Sequence, residues 1–377
     1  MLMNAAENIS ETPVEAAIIP PTALAAHLAG PTAAYLGVLT SPQFDAAHVE
    51  TGALLSGAAV HDLGWLRRIA VRGEDRYRWL SGMVTNSVET LPDRSGAYNL
   101  VLNAQGRIQG DLNVWKAGEA LELDINADQA DALLAHFDRF IIMDDVELVP
   151  LEGKSALGIT GPLAGDILAK FGIPALHEAF TSVSGEVSGI PVQVERGYGT
   201  MVPHYALWTS AGNISALWTA VLAAGAIPVG TDALESLRVV EGIPAYGVDI
   251  QSRDLVQETA QMRAVSFTKG CYLGQEIVER IRSRGQVHRH LRALEIIPDD
   301  AALLPAVGTE LRAESGDAKA VGALTSVTKL EVSGAARLFA IGMVRADAEV
   351  GNRPLAYAGG TARILHSAPK SLLSESN

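Results

Sequence analysis

The chain has no second cysteine. Cys271 stands alone among 377 residues, so no intramolecular disulfide can form, and a Cys-rich zinc site or a CxxC redox pair has no ligands. The lone thiol predicts a reducing compartment, and the cytoplasm is the expected location. Basic residues are missing from the start of the chain, where the first Lys or Arg is Arg67. A secretory signal needs a basic n-region and a matrix-targeting presequence needs arginines, so neither is predicted. Residues 16–44 contain no Asp, Glu, Lys or Arg, yet Pro20, Pro21, His27, Gly30, Pro31 and Pro42 interrupt them. No apolar run of the about 18 residues that a membrane helix requires remains; the segment reads as an apolar arm packing on the body, and no membrane partner is expected. Walker, Rossmann and HExxH motifs are absent as well, and the spacing of GITGPLAG (158–165) suits a strand-to-helix turn, not a dinucleotide loop.

What remains is a globular composition, 48% hydrophobic and 19% charged, long enough for two or three domains. The net charge of −14 argues against nucleic acid as a partner. The charge is uneven: Arg263 to Arg292 holds seven basic residues against two acidic ones, a segment of +5 in a remainder of −19. That segment contains the only cysteine, and an anionic ligand or an acidic partner is the function such a patch would serve; the alternative is that it neutralises its own protein.

Periodicity divides the chain into an arm (1–44), a first α+β region (45–149), a second α+β region (150–285), an all-β region (286–366) and a polar tail (367–377). LRRIAVRG (66–73) reads as a strand, EDRYRWLSGMVT as a helix, and AYNLVLNAQGRIQGDLNVW (97–115) as a hairpin turning at Asn103–Gly106. GTDALESLRVVEG and QEIVERIRSRG read as helices, the second stopped by Gly285. After about residue 286 short strands separated by Gly and Asp predict a barrel.

Four places carry chemistry. In KGCYLGQE (269–276) the thiol precedes a helix that starts near Gln275; the helix N-terminus and the ammonium of Lys269 both favour thiolate, with Gly270 and Gly274 allowing a tight, open turn. The alternative for Cys271 is a buried, inert residue. Glu241 ends a helix, where the dipole disfavours a carboxylate, so it either bonds the donors of a ligand or is simply exposed. Asp111 and Asp124 could be carboxylates on adjacent strands, with a surface position the competing reading for Asp124. His288 and His290 share a strand face and could hold an anion or metal; a solvated or packing role is the stronger reading, and no metal is expected.

In this order, LRRIAVRGEDRYRWLSGMVTN, YNLVLNAQGRIQGDLNVW, the LR-xxEG-xP-xYG-xD pattern of 237–249 and the C-terminal VGALTS resemble the folate-binding family of the glycine-cleavage T-protein, the aminomethyltransferases. KGCYLGQE is similar to the KGCYxGQE signature of the YgfZ branch, whose members support iron–sulfur cluster assembly or repair in a folate-dependent way. The resemblance implies an α+β, three-domain cloverleaf with a C-terminal β-barrel and a central channel for tetrahydrofolate. It implies that Glu241 holds the pterin ring, that Asn126 is a further pterin contact, that Tyr98 lines the site, and that Cys271 and Lys269 are the functional pair. Its implied partners are folate and iron–sulfur client enzymes or assembly proteins. Two departures count against aminomethyl transfer: where that enzyme has two adjacent acids, this chain reads Gly110-Asp111, and where it has RTGYTGEDGYE, this chain reads ERGYGTMVPHYALW (195–208). A folate-dependent aminomethyltransferase using Asp111 as its acid is the alternative expectation.

Overall fold

A computed structural model of the chain describes residues 19–375, apart from 29, 301–302, 315–318 and 333–334. The expected arm over residues 1–18 and the last two residues of the tail lie outside the described residues. From residue 19 the arm lies on the body. Leu39 N–H donates to Pro20 O and Thr22 N–H to Leu39 O, and the buried carboxylate of Asp62 accepts hydroxyls from both Thr22 and Thr40.

Three β assemblies follow. An antiparallel five-stranded sheet has the spatial order Ser95–Leu102, Ile108–Ala117, Ala120–Asn126, Leu66–Arg72, Glu147–Pro150. Alternation in these strands sends Ile69, Val71, Val114 and Leu123 to one face. The helices Arg76–Met83 and Ala127–Asp138 cover that face with Trp79, Leu80, Leu133 and Phe137. The six-stranded sheet runs Ser182–Val187, Ile190–Arg196, His204–Ser210, Lys154–Thr160, Ala59–Asp62, Ile227–Pro228. Its strand Ala59–Asp62 comes from the first α+β stretch of the chain, so sheet membership does not follow sequence order. Helices Ala164–Ala169 and Ile214–Ala223 pack on it through Ile167, Leu168, Leu217 and Val221.

The third assembly is a closed six-stranded barrel, as the short C-terminal strands predict. Arg289–Pro298 pairs with Ala335–Arg345 on one side and with Gly360–Leu365 on the other, which closes it. A core shared by all three assemblies joins Tyr98 and Ile108 of the first sheet, Leu237 and Val240 of helix Thr231–Glu241, and Phe339 and Ile341 of the barrel. The tail ends in a short helix, Ser371–Glu375, whose Leu372 is buried in this core.

Candidate functional site

The KGCYLGQE segment is a loop sewn to the first sheet. Lys269 Nζ donates to the carbonyl oxygens of Ser81 (2.6 Å), Val84 (2.7 Å) and Asn86 (2.8 Å). The backbone adds Leu273 N–H to Gly82 O and Ser266 N–H to Thr85 O. Burial pushes the Lys269 amine down to about 8; three aligned carbonyl dipoles oppose that loss of the proton. Lys269 is therefore a staple whose donors are all engaged. Gly274 sits at φ +81, and a Cβ there would strike Asn103 O at 2.6 Å, so this glycine is required where the loop crosses the Asn103–Gly106 turn. Gly270 has open space around it and no positive φ, so only one of the two glycines is needed for the turn. Helix Gln275–Arg284 follows, and Cys271 is exposed. A buried structural role for the thiol does not match that position.

The basic character of this segment in sequence is largely neutralised in the fold. Arg280 pairs with Glu276, Arg282 with Glu279, Arg289 with Asp254 and Glu258, and Arg292 with Glu349. Arg263 stacks between two rings, its guanidinium 4.1 Å from the Tyr98 centroid and 4.0 Å from that of Tyr198.

Those two tyrosines belong to a cavity of about 280 Å³ between the five- and six-stranded sheets. Its wall contains Asn113, Trp115, Asp124, Phe180, Glu195 and His204 besides Tyr98, Tyr198 and Arg263. Behind Tyr98 lies Asp111: the phenol donates to Asp111 Oδ2 at 2.8 Å and Gln129 Nε2 to Oδ1 at 3.0 Å. Burial raises the Asp111 carboxyl above the ordinary aspartate range despite both bonds, and burial together with Asp111 raises the Tyr98 phenol. Asn86 links this wall to the loop. Its amide donates to Tyr98 O and Arg263 O while its carbonyl accepts from Lys269. The segment that opens at Arg263 in the cavity wall thus reaches the exposed thiol eight residues later.

Glu241 is buried, not exposed. Oε1 accepts the N–H groups of Met201 (2.8 Å) and Val202 (3.2 Å), and Oε2 faces His204 Nε2 at 2.9 Å. Burial opposes its charge, but His204 and the two N–H donors hold the carboxyl below the usual glutamate range. It lines a neighbouring hollow with Thr200 and Gly242, and it reaches the inter-sheet cavity through His204. Asn126 ends strand Ala120–Asn126 at the N-cap of the next helix; it is not among the wall residues, whereas Asp124, two positions earlier on the same strand, is. Asp111 and Asp124 lie on adjacent strands but serve different partners. Asp124 is buried and accepts from Arg68 and Trp115, which corrects the surface reading.

Sequence reasoning missed Arg68, Glu195 and His204. Arg68 is buried between Glu122, Asp124 and Glu195, at 2.5, 2.7 and 2.6 Å. With one cation among three acids, burial pushes the Glu195 carboxyl up to about 8, against the pull of Arg68. The adjacent Arg67–Arg68 in an alternating strand was the available signal, since one of the pair must point inward. His290 pairs with Glu349, and no group of His, Cys, Asp and Glu among the described residues could hold a metal ion. Among them, too, no helix is long and apolar enough to cross a membrane.

Comparison with known proteins shows the family and the fold. The family described as the GCVT N-terminal domain matches residues 25–269. The chain belongs to the glycine-cleavage T-protein family. It is 29% identical over 265 residues to the aminomethyltransferase of Geobacillus kaustophilus, covering 68% of this chain and 72% of that one. It is 26% identical to a chloroplastic protein of Arabidopsis thaliana that carries the name of a transferase, covering 72% of this chain and 62% of the relative. The crystal structure of the glycine cleavage system aminomethyltransferase T from Bartonella henselae superposes with a TM-score of 0.79 at 21% identity, over 90% of this chain and 94% of that one. The α+β T-protein fold with its C-terminal barrel is therefore the fold of this chain.

Proposed function

We propose that the protein binds a reduced folate, tetrahydrofolate or a derivative, in the inter-sheet cavity and supports iron–sulfur cluster assembly or repair through Cys271. The observation that carries this reading is the continuous segment from Arg263 in the cavity wall to the exposed thiol, fixed between them by Lys269 on three carbonyls. The cavity suits a pterin. At about 280 Å³ it has room for a flat bicyclic ring with the tail left outside. Aromatic walls flank the space, and Asn113, Asp124 and Glu195 are the acceptors that the N–H groups of such a ring require. Tyr98 and Tyr198 would line the site by clamping Arg263 in its wall, with Asp111 fixing the Tyr98 phenol. Glu241 acts through His204, and Asn126 holds the end of the strand that carries Asp124. A bound reduced folate supplies nitrogen nucleophiles for one-carbon chemistry. Cys271 alone cannot hold a cluster, since four thiolates are typical, so its work requires partner thiols from a client enzyme or an assembly protein. The cytoplasm, reducing for a lone exposed thiol, is the proposed compartment.

Deletion of the gene, followed by rescue with wild type or with Cys271→Ser, tests the reading through iron–sulfur enzyme activity in extracts. Wild type restores activity and Cys271→Ser does not. Equal rescue by both removes the thiol from the function.

One observation favours a second reading, aminomethyl transfer. Asp111 is a buried carboxyl, raised by burial, in hydrogen-bond contact with a cavity tyrosine, as an acid for transfer would be. Methylene-tetrahydrofolate formation from an aminomethylated carrier protein, lost in Asp111→Asn, would establish it.

A further inference from the structure

The cavity between the sheets is bounded by two rows of residues set by strand pairing. Tyr98, Asn113, Asp124 and Arg68 stand directly opposite one another on four neighbouring strands of the five-stranded sheet. Cross-strand partners share a face, so they form one polar row, and two strand spacings put Tyr98 about 10 Å from Asp124. Tyr98, Asn113 and Asp124 line the cavity. In the six-stranded sheet Glu195, Ala206, Gly158 and His61 form a second row. The His61 ring takes the space over Gly158, where a Cβ would fall 1.8 Å from its Cε1.

The two ends of the first row offer opposite chemistry. At one end are acceptors: Asp124 Oδ1 accepts from Arg68 and Oδ2 from Trp115, and each oxygen keeps a lone pair. At the other end Arg263 lies against Tyr98. A guanidinium has N–H donors, no acceptor, and stays charged in proteins. Its Nε donates to Gln261 Oε1 at 3.0 Å. Among the described residues neither Nη atom has a hydrogen-bond or carboxylate partner. The nearby acids are committed elsewhere, Asp111 to Tyr98 and Gln129, Asp124 and Glu195 to Arg68. Tyr98 and Tyr198 occupy the space on the guanidinium at 4.1 and 4.0 Å. What Arg263 has left to present to the cavity is its edge, where the Nη donors lie.

We propose that Arg263 is a specificity-determining residue of this cavity. Its Nη groups bind an exocyclic carbonyl oxygen on a flat nitrogen heterocycle whose opposite edge donates N–H groups to Asn113 and Asp124. They reject the same ring when an amino group replaces that oxygen. An oxo group offers its lone pairs to the guanidinium edge, whereas an amino group sets donors against donors. A site built to hydrogen-bond one group discriminates strongly against an analogue that leaves its own polar atoms unpaired. The clamp makes the choice rigid, since a guanidinium held between two rings cannot turn away from a wrong partner without losing both contacts. The identity of the ring as a reduced folate rests on the reading above; the preference for oxo over amino belongs to Arg263.

Calorimetry on the full-length protein tests this with three probes: tetrahydrofolate, its analogue with an amino group in place of the ring oxo group, and tetrahydropterin, the ring without its tail. Wild type should bind tetrahydrofolate about 100-fold more tightly than the amino analogue. Arg263→Met should bind tetrahydrofolate about ten-fold more weakly or worse, bring the two ligands within about three-fold of each other, and lose the same factor for tetrahydropterin. The wild-type ratio needs no variant, so it decides even if Arg263→Met fails to fold. Equal wild-type affinity for the oxo and amino ligands, or a preference that persists in Arg263→Met, overturns the proposal and leaves the folate reading standing. A loss in Arg263→Met for tetrahydrofolate but not for tetrahydropterin assigns Arg263 to the tail carboxylates and overturns it too. If wild type binds none of the three, the folate reading falls and the proposal falls with it.

Discussion

The loop that carries Cys271 and the wall that carries His204 handle buried charge in opposite ways. The loop holds one ammonium with neutral dipoles: Lys269 meets three carbonyls and no carboxylate within bonding distance. The wall holds Arg68 with acids, on three carboxylates, and sets the Glu241 carboxyl against the His204 ring. Carbonyls fix geometry and leave the net charge in place, whereas carboxylates neutralise it. The loop is thus fixed by neutral dipoles, and the wall by opposed charges.

The largest expected effect breaks the wall. Arg68→Met leaves three acids buried without their cation and should lower stability by about 3–5 kcal/mol, read by urea unfolding. Breaking the loop comes next. Lys269→Met strands three carbonyls and should reduce stability by about 1–3 kcal/mol. Since burial lowers the Lys269 amine, the folded state sheds this proton before the unfolded chain does. Wild-type stability should therefore gain a rising slope with pH between about 8 and about 10.5 that Lys269→Met lacks. An unchanged slope in the variant would assign it to other groups.

Smaller effects sharpen the contrast. Glu241→Gln keeps most of its hydrogen bonds but removes the charge beside His204, and should weaken tetrahydrofolate binding about ten-fold by calorimetry with the fold intact. Cys271→Ser, on an exposed side chain, should change stability by less than about 0.5 kcal/mol and leave folate affinity untouched. Any larger change in either would give the thiol a structural part that its exposure argues against.

The two regions also differ in how far the sequence revealed them. KGCYLGQE is local: its lysine, glycine and following helix lie within a few residues, and periodicity places Gln275–Arg284 directly. The barrel strands and the hairpin about Asn103–Gly106 are legible for the same reason. The wall is assembled from distance. Arg68 and Glu195 are 127 positions apart, and His61, Thr160 and His204 meet because a strand from the first part of the chain inserts into the second sheet. Nothing in local pattern announces that insertion. Glu241 was conspicuous as an acid at a helix C-terminus, yet its partners Met201 and Val202 in a loop, and His204 at the start of the following strand, lie in a stretch whose sequence departs from the aminomethyltransferase pattern. Asn126 shows the same limit, since alternation fixes a face and not how far along a strand the cavity extends.

Hydrogen exchange of the full-length protein with and without tetrahydrofolate tests the central claim most directly. Binding in the inter-sheet cavity should slow exchange in the segment 197–204 and around Arg263, and leave the barrel strands Ala320–Val332 and Gly360–Leu365 unchanged. Protection confined to the barrel, or no protection anywhere at saturating ligand, would contradict it.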